Sequence, residues 1–292
     1  MAFEAIGLSC GYGDETVVRG VSFSLETREG LCVLGPNGVG KTTLFKTLLG
    51  FLPAKAGEVR VDGRSLGSMS RTEVARAVAY VPQSQTLPFS YSVGEFVLMG
   101  RAPRLRLLQQ PGPDDRRVVR EVMARMGIEH LAKKPCTGVS GGEMQLACVA
   151  RALAQEPRYL VMDEPTASLD FGNQARVLAL VGELAEAGIG VVMTTHDPAQ
   201  AFALRSQVVL LQSASRCLSG PVREVLTEEE LSRTYGVEVW VGDLSRGGRE
   251  VACCVVPPAA PADAAADPVP AAPADPEAAP GAAATADGPA VP

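Results

Sequence analysis

Residues 35–43 form a glycine-rich loop that ends in a lysine and two threonines. They fit the pattern G-x-x-x-x-G-K-[ST] and comprise Gly35, Pro36, Asn37, Gly38, Val39, Gly40, Lys41, Thr42 and Thr43. The apolar residues 31–34 predict a buried strand before the loop, and Lys41 opens a predicted helix whose positive N-terminal end faces it. Glycines let backbone N–H groups converge on an anion, so the segment predicts a nucleoside triphosphate site. The alternative, a glycine-rich turn with a chance lysine, leaves the flanking elements unexplained.

A second segment offers carboxylates for a metal ion. Residues 159–162 predict a buried strand that ends in Asp163 and Glu164, at the sheet edge where α/β folds bind ligands. We expect Thr42 and Asp163 to hold magnesium and Glu164 to polarise an attacking water. Lys41 would neutralise the β and γ phosphates. Alone, the two carboxylates could merely end a strand, but the phosphate loop in the same chain favours the metal site.

Between these two segments lies a short glycine-containing motif. It consists of Ser140, Gly141, Gly142, Glu143 and Met144. It resembles the signature of the ATP-binding-cassette (ABC) ATPases, and the resemblance extends over about residues 3–241 with the motifs in order. The resemblance implies a phosphate-loop NTPase cassette that hydrolyses ATP with Mg²⁺. It also implies that residues 140–143 contact nucleotide.

The resemblance assigns roles to further positions. Tyr12 is similar to the aromatic residue that stacks on adenine, and Gln83 is similar to the glutamine that senses metal and water. Residues 168–170, with Ser168 and Asp170 at their ends, resemble a loop that touches the partner subunit. His196 resembles the histidine that contacts the γ-phosphate. Taken singly, Tyr12 could be a turn aromatic, Gln83 a solvent-facing residue and His196 a residue at a helix entry.

The signature departs from the family pattern at two positions. Val139 stands where leucine is commoner, which keeps an apolar contact, and Glu143 stands where glutamine is commoner. The carboxylate of Glu143 would add negative charge near a polyphosphate. We therefore expect slightly lower nucleotide affinity unless a neighbour compensates.

The copy number of the motifs bears on assembly. The chain holds one phosphate loop and one signature, and in the family that it resembles the signature of one subunit closes over the nucleotide of the other. Ser140 precedes a predicted helix that runs to about Gln155, whose N-terminal N–H groups would form a second anion cradle. We expect a head-to-tail homodimer with two ATP sites at its interface.

The composition predicts a chain that does not itself cross a membrane. It has no run of eighteen apolar residues, and residues 1–4 lack the start of a signal segment. The seven cysteines lack metal-ligand spacing, which is typical of buried thiols in a reducing compartment, and Cys253 and Cys254 are interpreted as small residues of a terminal strand or linker. The resemblance implies a peripheral subunit on the cytoplasmic face of a bacterial cell membrane. Its partners would be integral permease subunits and, indirectly, a substrate-binding protein.

The C-terminal end differs in character from the rest of the chain. Residues 257–292 contain ten prolines, sixteen alanines, five acidic residues and no lysine or arginine, which predicts a disordered tail. Because the tail carries five of the six net negative charges, residues 1–256 have a net charge of −1. A nearly neutral body argues against a nucleic-acid-binding surface.

The remaining pattern predicts an α/β cassette with a parallel core sheet, an antiparallel β edge and a helical subdomain. Strands are expected at residues 3–8, 17–25, 58–61, 190–194 and 237–241. A helical pattern at residues 114–126 lies in a stretch without strand character, which places the helical subdomain at about residues 87–157. Residues 1–242 would form the ATPase domain, 243–256 a linker and 257–292 the tail.

Apolar and basic residues follow Gln83 closely. We expect them to line a groove in the helical subdomain that receives a permease. They are Phe89, Tyr91, Val93, Phe96, Met99, Arg101, Arg104 and Arg106. The alternative is that the apolar members fill the subdomain core and the arginines face water.

Several segments favour an importer. Exporters of the family carry a Gly-Glu-Arg-Gly-like element before the signature, which residues 134–139 lack. Residues 98–101, 167–174 and 225–237 resemble those of ATPases for iron-siderophore, haem and vitamin B12 uptake, and some molybdate or tungstate importers are similar.

Two alternatives of other classes remain. A non-transport ABC ATPase of translation or DNA repair usually has two cassettes or a long coiled-coil insertion, and the sequence shows neither. A regulatory nucleotide-binding module could dispense with Glu164 and His196.

Overall fold

The structure, a computed structural model, describes residues 1–83, 91–106, 108–167, 169–204 and 206–258 of the 292 residues. Phe89, Ser168 and nearly all of the expected tail lie outside these ranges. Residues 1–257 form one compact unit.

Strands and helices alternate along this unit. The strands are β1 (Ala2–Tyr12), β2 (Glu15–Glu26), β3 (Gly30–Leu34), β4 (Ala56–Val61), β5 (Arg64–Ser65), β6 (Val78–Val81), β7 (Tyr159–Met162), β8 (Gly190–Thr194), β9 (Gln207–Ser213), β10 (Arg216–Pro221), β11 (Trp240–Arg246) and β12 (Arg249–Val255). The helices are α1 (Lys41–Leu48), α2 (Arg71–Ala77), α3 (Val93–Leu98), α4 (Pro113–Arg125), α5 (Gly141–Leu153), α6 (Phe171–Glu186), α7 (Pro198–Leu204), α8 (Val222–Val225) and α9 (Glu228–Tyr235). The predicted strand at 190–194 has the bounds of β8, and the predicted helix at 114–126 is α4.

Two sheets of more than two strands organise the described chain. The larger sheet has the strand order β10-β9-β3-β8-β7-β6, in which β3, β6, β7, β8 and β9 are parallel and β10 is antiparallel. The smaller sheet has the order β2-β1-β4-β5 and is antiparallel. The predicted parallel core is confirmed, and the predicted antiparallel strands form a sheet of their own.

Strand β3 shows how the core sheet is fixed. Leu31 and Val33 point into one hydrophobic core, which they share with α1 and the antiparallel sheet. Cys32 and Leu34 point into the other core, which continues into the helical lobe. A parallel strand that is buried on both faces has a continuous run of apolar residues, as residues 31–34 do. The two cores hold the carboxyl ends of the strands in place.

Helices α3, α4 and α5 form the helical lobe. A β-carbon at Gly100 would overlap the carbonyl oxygen of Arg151, so a glycine is required where the 3-10 segment after α3 crosses α5. Val93 and Phe96 are fully buried in this lobe, and the guanidinium of Arg151 lies 4.8 Å from the centre of the Phe96 ring. The prediction that Val93 and Phe96 line a docking groove is therefore wrong, because they fill the lobe's core.

Two of the arginines predicted for that groove are also structural. The guanidinium of Arg101 is buried and donates to Asp115 at 2.9 Å and to Glu156 at 2.8 Å. Arg104 donates to the backbone carbonyls of Gln155 and Glu156 at 3.0 and 2.9 Å. These contacts tie the 3-10 segment to the end of α5. Met99 remains 39% exposed and is compatible with docking.

Residues 243–256 were expected to be a linker, but they form most of a β-hairpin made by β11 and β12. Gly247 and Gly248 make its turn with φ values of 60° and 76°, which glycine adopts readily. Arg223 donates to both carboxylate oxygens of Asp243 at 2.6 and 3.1 Å and ties the hairpin to α8. The strand expected at 237–241 begins instead at Trp240.

Candidate nucleotide-binding site

The candidate site lies where four parallel strands end. The phosphate loop, residues 35–40, follows β3, and Asp163 and Glu164 follow β7. His196 follows β8, and Gln83 follows β6. Because the sheet order is β3-β8-β7-β6, the topology brings these residues to one edge, where open α/β sheets bind ligands.

The glycines of the loop are required by close packing. Gly35 has φ 149°, and a β-carbon there would overlap the carbonyl oxygen of Leu211. Gly40 has φ 112°, and a β-carbon would collide with the side chains of Val17 and Val18. Gly40 is also the N-cap of α1 and has no side-chain cap, so the first N–H groups of that helix are available to an anion.

Lys41 is held inside the loop. Its ammonium donates to the carbonyl of Gly35 at 2.7 Å and to that of Pro36 at 3.3 Å. It also lies 3.7 Å from a carboxylate oxygen of Glu164. The side chain is only 7% exposed, so its charge acts across a poorly solvated space.

Thr42 and Asp163 form an oxygen pair that suits a hard cation. The hydroxyl of Thr42 donates to Asp163 Oδ2 at 3.4 Å. The other carboxylate oxygen accepts from the hydroxyl of Thr194 at 2.7 Å, which fixes the rotation of Asp163. Burial, together with the neighbouring Asp163 carboxylate, raises the pKa of Tyr80 to about 12. A hydroxyl and a carboxylate are oxygen ligands of the kind that Mg²⁺ prefers, so the residues fit that ion.

The Glu164 carboxylate lies at the centre of the site. Its Oε2 accepts from the amide of Gln83 at 3.0 Å and lies 3.6 Å from Nδ1 of His196. The backbone N–H of Glu164 donates to the hydroxyl of Thr194 at 2.7 Å, and the residue has a φ of 44°. A non-glycine residue in this region costs of order 1–3 kcal/mol, so the surroundings must hold it there. Four residues predicted from the sequence thus meet: Lys41, Gln83, Glu164 and His196.

Gln200 is a site residue that the sequence analysis missed. It is buried on α7, and its side-chain oxygen accepts from the hydroxyls of Thr195 and Thr166 at 2.9 and 3.0 Å. Thr195 directly precedes His196, and Thr166 follows Glu164 by two residues. One buried amide therefore connects the two loops that carry His196 and Glu164. Only its position four residues after His196 could have drawn attention to it.

Tyr12 lies beside the first turns of α1. The residue is 46% exposed, and the ammonium of Lys46 lies 5.9 Å from the ring centre and 3.4 Å from the hydroxyl. A hydrogen bond with Thr43, and then one with Lys46, lowers the pKa of the phenol. The ring thus has a free apolar surface next to the phosphate loop, as base stacking requires.

The signature motif starts α5 with a capping box. Ser140 N–H donates to the Glu143 carboxylate at 2.8 Å, and Glu143 N–H donates to the Ser140 hydroxyl at 3.3 Å. These bonds, the backbone one first, hold the pKa of Glu143 below its ordinary value. The carboxylate therefore has a local structural role, which glutamine at this position would also fill.

The signature also contacts the loop expected to reach a partner subunit. A β-carbon at Gly142 would lie 2.9 Å from Asn173, whose amide donates to Asp170 at 2.7 Å. Asp170 caps α6 by accepting from Asn173 N–H at 2.8 Å. In contrast, no hydrogen bond among the described residues joins the signature to the phosphate loop of the same chain.

The cysteines are structural where they are buried. Burial raises the pKa of Cys32 to about 12 and that of Cys148 to about 11. Among the described residues, His, Cys, Asp and Glu form no cluster that could hold a metal ion by themselves. No helix in the described ranges is long and apolar enough to span a membrane.

Comparison with known proteins places these features in one family. A profile of the family described as ABC transporter matches residues 18–167. An ABC transporter ATP-binding protein of Haemophilus influenzae without assigned cargo is 41% identical over 80% of this chain and 89% of its own length. The hemin import ATP-binding protein HmuV of Streptomyces coelicolor is 40% identical over 87% of this chain and 89% of its own length. The ferric enterobactin transport ATP-binding protein FepC of Escherichia coli is 33% identical over 81% of this chain and 88% of its own length.

Solved structures agree. A metal-chelate type ABC transporter in an inward-facing conformation superposes with a TM-score of 0.80 at 32% identity, covering 88% of this chain and 98% of that one. The ATP-binding cassette MJ1267, in its ADP conformation, superposes with a TM-score of 0.72 at 22% identity. The match covers 82% of this chain and 100% of that one, and it supports the fold alone.

Proposed function

Because the chain belongs to the ABC transporter family and is an ATPase related to the importers of hemin and ferric siderophores, we propose that it drives uptake of a metal chelate. It would work as a pair of identical chains on the cytoplasmic face of a cell membrane, bound to permease subunits. The observation that supports ATP hydrolysis as the energy source is the position of Glu164, in contact with Gln83, Lys41 and His196 and directly beside Asp163.

Each of the site residues would have a separate role in phosphoryl transfer. Thr42 and Asp163 would hold Mg²⁺, which would offset the negative charge of the phosphates. Lys41 and the N–H groups at the start of α1 bind the β and γ phosphates. Tyr12 stacks on the adenine.

Glu164 accepts a proton from, or orients, the water that attacks the γ-phosphate. Its Oε2 is held by Gln83, so a movement of Gln83 changes the orientation of the carboxylate. His196, more than half exposed, is free to contact the γ-phosphate from the other side.

The signature completes the site from a second copy. Ser140, Gly141, Gly142 and Glu143 start α5 away from the phosphate loop of their own chain, with the positive end of the helix available. Two copies in head-to-tail arrangement would place each signature over the other chain's nucleotide. The hydrogen bonds between Asn173 and Asp170 fix the Asn173 side chain, which lies against Gly142 of the signature.

The permease would dock in a groove between the segment that follows α1, the antiparallel sheet and α2. This groove of about 960 Å³ is lined by Phe51, Leu66, Met69 and Val74, with Gln155 from the segment after α5. Phe51 is 64% exposed, and its ring meets that of Tyr80 edge to face at 6.2 Å. An apolar groove rimmed by polar groups suits an amphipathic helix of the permease.

Substituting Phe51 with glutamate tests this groove. The change should remove permease from the purified complex and leave ATP binding unchanged, because Phe51 lies outside the phosphate loop. Val237→Glu, at another exposed apolar position, is the matched control. Equal permease recovery with Phe51→Glu and with the control would contradict docking there.

The proposed cargo, an iron-siderophore or haem, rests on the relatives. HmuV is a hemin import protein, FepC a ferric enterobactin transport protein, and the solved neighbour a metal-chelate transporter. The ATPase itself does not contact cargo, so its own residues do not choose among chelates.

Co-purification tests the function as a whole. The tagged full chain carrying Glu164→Gln should be isolated from its native membranes with Mg-ATP. We expect a multi-span permease, and reconstitution of that complex with its binding protein should transport haem or a ferric siderophore. Recovery of ribosomes or nucleic acid without any membrane protein would overturn the importer proposal.

A further inference from the structure

Tyr12, the residue proposed to stack on adenine, lies at one end of the antiparallel sheet. It is the last residue of β1 and pairs with Glu15 of β2 across a tight turn. A β-carbon at Gly11 would overlap the carbonyl oxygen of Glu15, so the close approach of the two strands requires a glycine there. Tyr12 belongs to neither hydrophobic core of the described chain, so apolar packing alone does not fix the orientation of its ring.

Polar contacts at the hydroxyl end of the ring take the place of packing. The ammonium of Lys46 lies 3.4 Å from the Tyr12 hydroxyl and 5.9 Å from the ring centre. These two distances place the ammonium beyond the hydroxyl, close to the long axis of the ring. The contact is therefore a hydrogen bond to the phenol, and the ammonium covers neither ring face. Thr43 forms a second hydrogen bond with the same hydroxyl.

Both partners of the hydroxyl belong to α1, the helix that starts at the phosphate loop. Thr43 directly follows Lys41 and Thr42, which would bind phosphate and metal. Lys46 lies about one turn further along the helix. One helix therefore sets the positions of the phosphates and of the Tyr12 ring. Because the base and the phosphates are two ends of one ligand, a fixed spacing between their binding elements favours binding.

A second lysine holds the turn that follows Tyr12. The ammonium of Lys55 donates to the carbonyl of Gly13 at 2.7 Å, and its backbone N–H donates to the carbonyl of Ser9 at 2.8 Å. Gly13 has a φ of 47°, in the left-handed region that glycine adopts readily. Lys55 therefore spans the end of β1 and restrains the backbone around Tyr12, whereas Lys46 restrains its side chain.

The geometry points to Lys46 and Lys55 as positioning residues that hold the Tyr12 ring in place for the nucleotide base. This inference rests on the proposed stacking of adenine on Tyr12. A side chain that is already ordered loses less rotamer freedom when the ligand binds, which improves affinity. We expect the hydrogen bond from Lys46 to improve the affinity for adenine nucleotides about two- to tenfold, through Tyr12 and not through a contact of its own with the base.

The affinities for Mg-ADP and Mg-pyrophosphate, measured by calorimetry on the full-length chain, separate this role from an effect of charge. Pyrophosphate has no base, and neither ligand has a γ-phosphate to hydrolyse. Lys46→Met should raise the Kd of ADP about two- to tenfold and leave that of pyrophosphate unchanged. Lys46→Arg keeps a donor for the phenol and should recover most of the affinity. Lys133→Met, at an exposed lysine between α4 and α5, is the matched control and should change neither Kd.

Further variants show whether Lys46 acts through the ring. Tyr12→Phe keeps the aromatic ring and removes the hydroxyl, so it should raise the Kd of ADP at least as far as Lys46→Met does. The double variant should show no further loss, because both changes remove the same hydrogen bond. Lys55→Met removes the bond to the Gly13 carbonyl and should also weaken ADP binding without affecting pyrophosphate.

Three results would overturn the inference. An unchanged Kd of ADP in Lys46→Met and in Lys55→Met would show that these lysines do not position the ring. An equal rise in the Kd of ADP and of pyrophosphate would show that the charge of Lys46 acts on the phosphates. Full additivity of Lys46→Met and Tyr12→Phe would show that the two residues act independently.

Tyr12→Ala tests the stacking separately. It should raise the Kd of ADP further than Tyr12→Phe does and leave that of pyrophosphate unchanged, because it removes the ring itself. An unchanged Kd of ADP in Tyr12→Ala would contradict the proposed stacking of adenine, and the inference would fall with it.

Discussion

The hydroxyl of Thr194 donates to the carboxylate of Asp163 at 2.7 Å, across the ends of two neighbouring strands. The same hydroxyl accepts the backbone N–H of Glu164 at 2.7 Å. One fully buried oxygen therefore sets both the rotation of the proposed metal ligand and the backbone of the proposed catalytic carboxylate.

The substitution Thr194→Val should remove the hydrogen bonds of the Thr194 hydroxyl and preserve the packing, because valine has nearly the same shape as threonine. It leaves an acceptor on Asp163 and the N–H of Glu164 without a partner, at a cost of about 1–3 kcal/mol. We expect a lower kcat and a higher Mg²⁺ requirement for ATP hydrolysis, measured on the full chain. Thr194→Ser keeps the hydroxyl and should restore both. A folded Thr194→Val protein with unchanged kcat and Mg²⁺ dependence would show that the hydroxyl is dispensable.

Gln200 should act as a positioning residue. Gln200→Leu removes the oxygen that accepts from Thr195 and Thr166, each bond worth about 1 kcal/mol. We expect kcat to fall several-fold with little change in KM for ATP, since no hydrogen bond among the described residues joins Gln200 to the phosphate loop. Gln200→Glu keeps an acceptor oxygen and should recover part of kcat.

A double-mutant cycle provides the control for Gln200. Thr195→Val and Gln200→Leu remove the same hydrogen bond, so their effects on kcat should be less than additive. Full additivity would mean that the two residues act independently.

Arg101 should stabilise the helical lobe. Arg101→Met leaves the buried Asp115 without its guanidinium partner and should lower the free energy of unfolding by about 3 kcal/mol. Arg117→Met, on the exposed face of α4, is the matched control and should change it by less than about 1 kcal/mol. Urea unfolding of each variant measures the difference, and equal values for both would contradict a structural role for Arg101.

The ion pair between Arg101 and Asp115 should also make the free energy of unfolding depend on pH. The hydrogen bond from Arg101, and then that from the Gly112 N–H, holds the pKa of Asp115 below its ordinary value of 3.8. A lowered carboxyl pKa contributes stability above pH 3.8, which is lost as the pH falls through the pKa of the folded state. As the pH falls below 3.8, the free energy of unfolding of the wild type should therefore decrease more steeply than that of Arg101→Met.

Motifs in the sequence identify the residues that would contact nucleotide or metal. The structure adds the residues that position those side chains. The phosphate loop and Asp163 were predictable because glycine spacing and an apolar strand with a carboxylate end have specific physical meaning. Thr194 and Gln200 were not, since each is a single polar residue whose partners lie on other elements. Periodicity likewise could not tell that Arg101 points inwards, because an arginine is usually exposed.

The hairpin could have been found. Apolar residues occur at 240, 241 and 244 and form a continuous run at 251–255, and Gly247 with Gly248 between them is a turn signal. The resemblance to ABC ATPases ends at about residue 241, so the segment between that point and the change in composition at Pro257 was predicted to be a linker.

The central claim is that Glu164 drives ATP hydrolysis within a nucleotide-bridged pair of chains. Sedimentation of the full-length Glu164→Gln protein with and without Mg-ATP tests it most directly, with Glu224→Gln, an exposed glutamate, as control. We predict that Glu164→Gln binds ATP, becomes dimeric only with Mg-ATP, and loses hydrolysis by about 100-fold or more, whereas the control hydrolyses ATP normally. A Glu164→Gln protein that hydrolyses ATP at the wild-type rate, or that binds ATP and stays monomeric, would contradict the account.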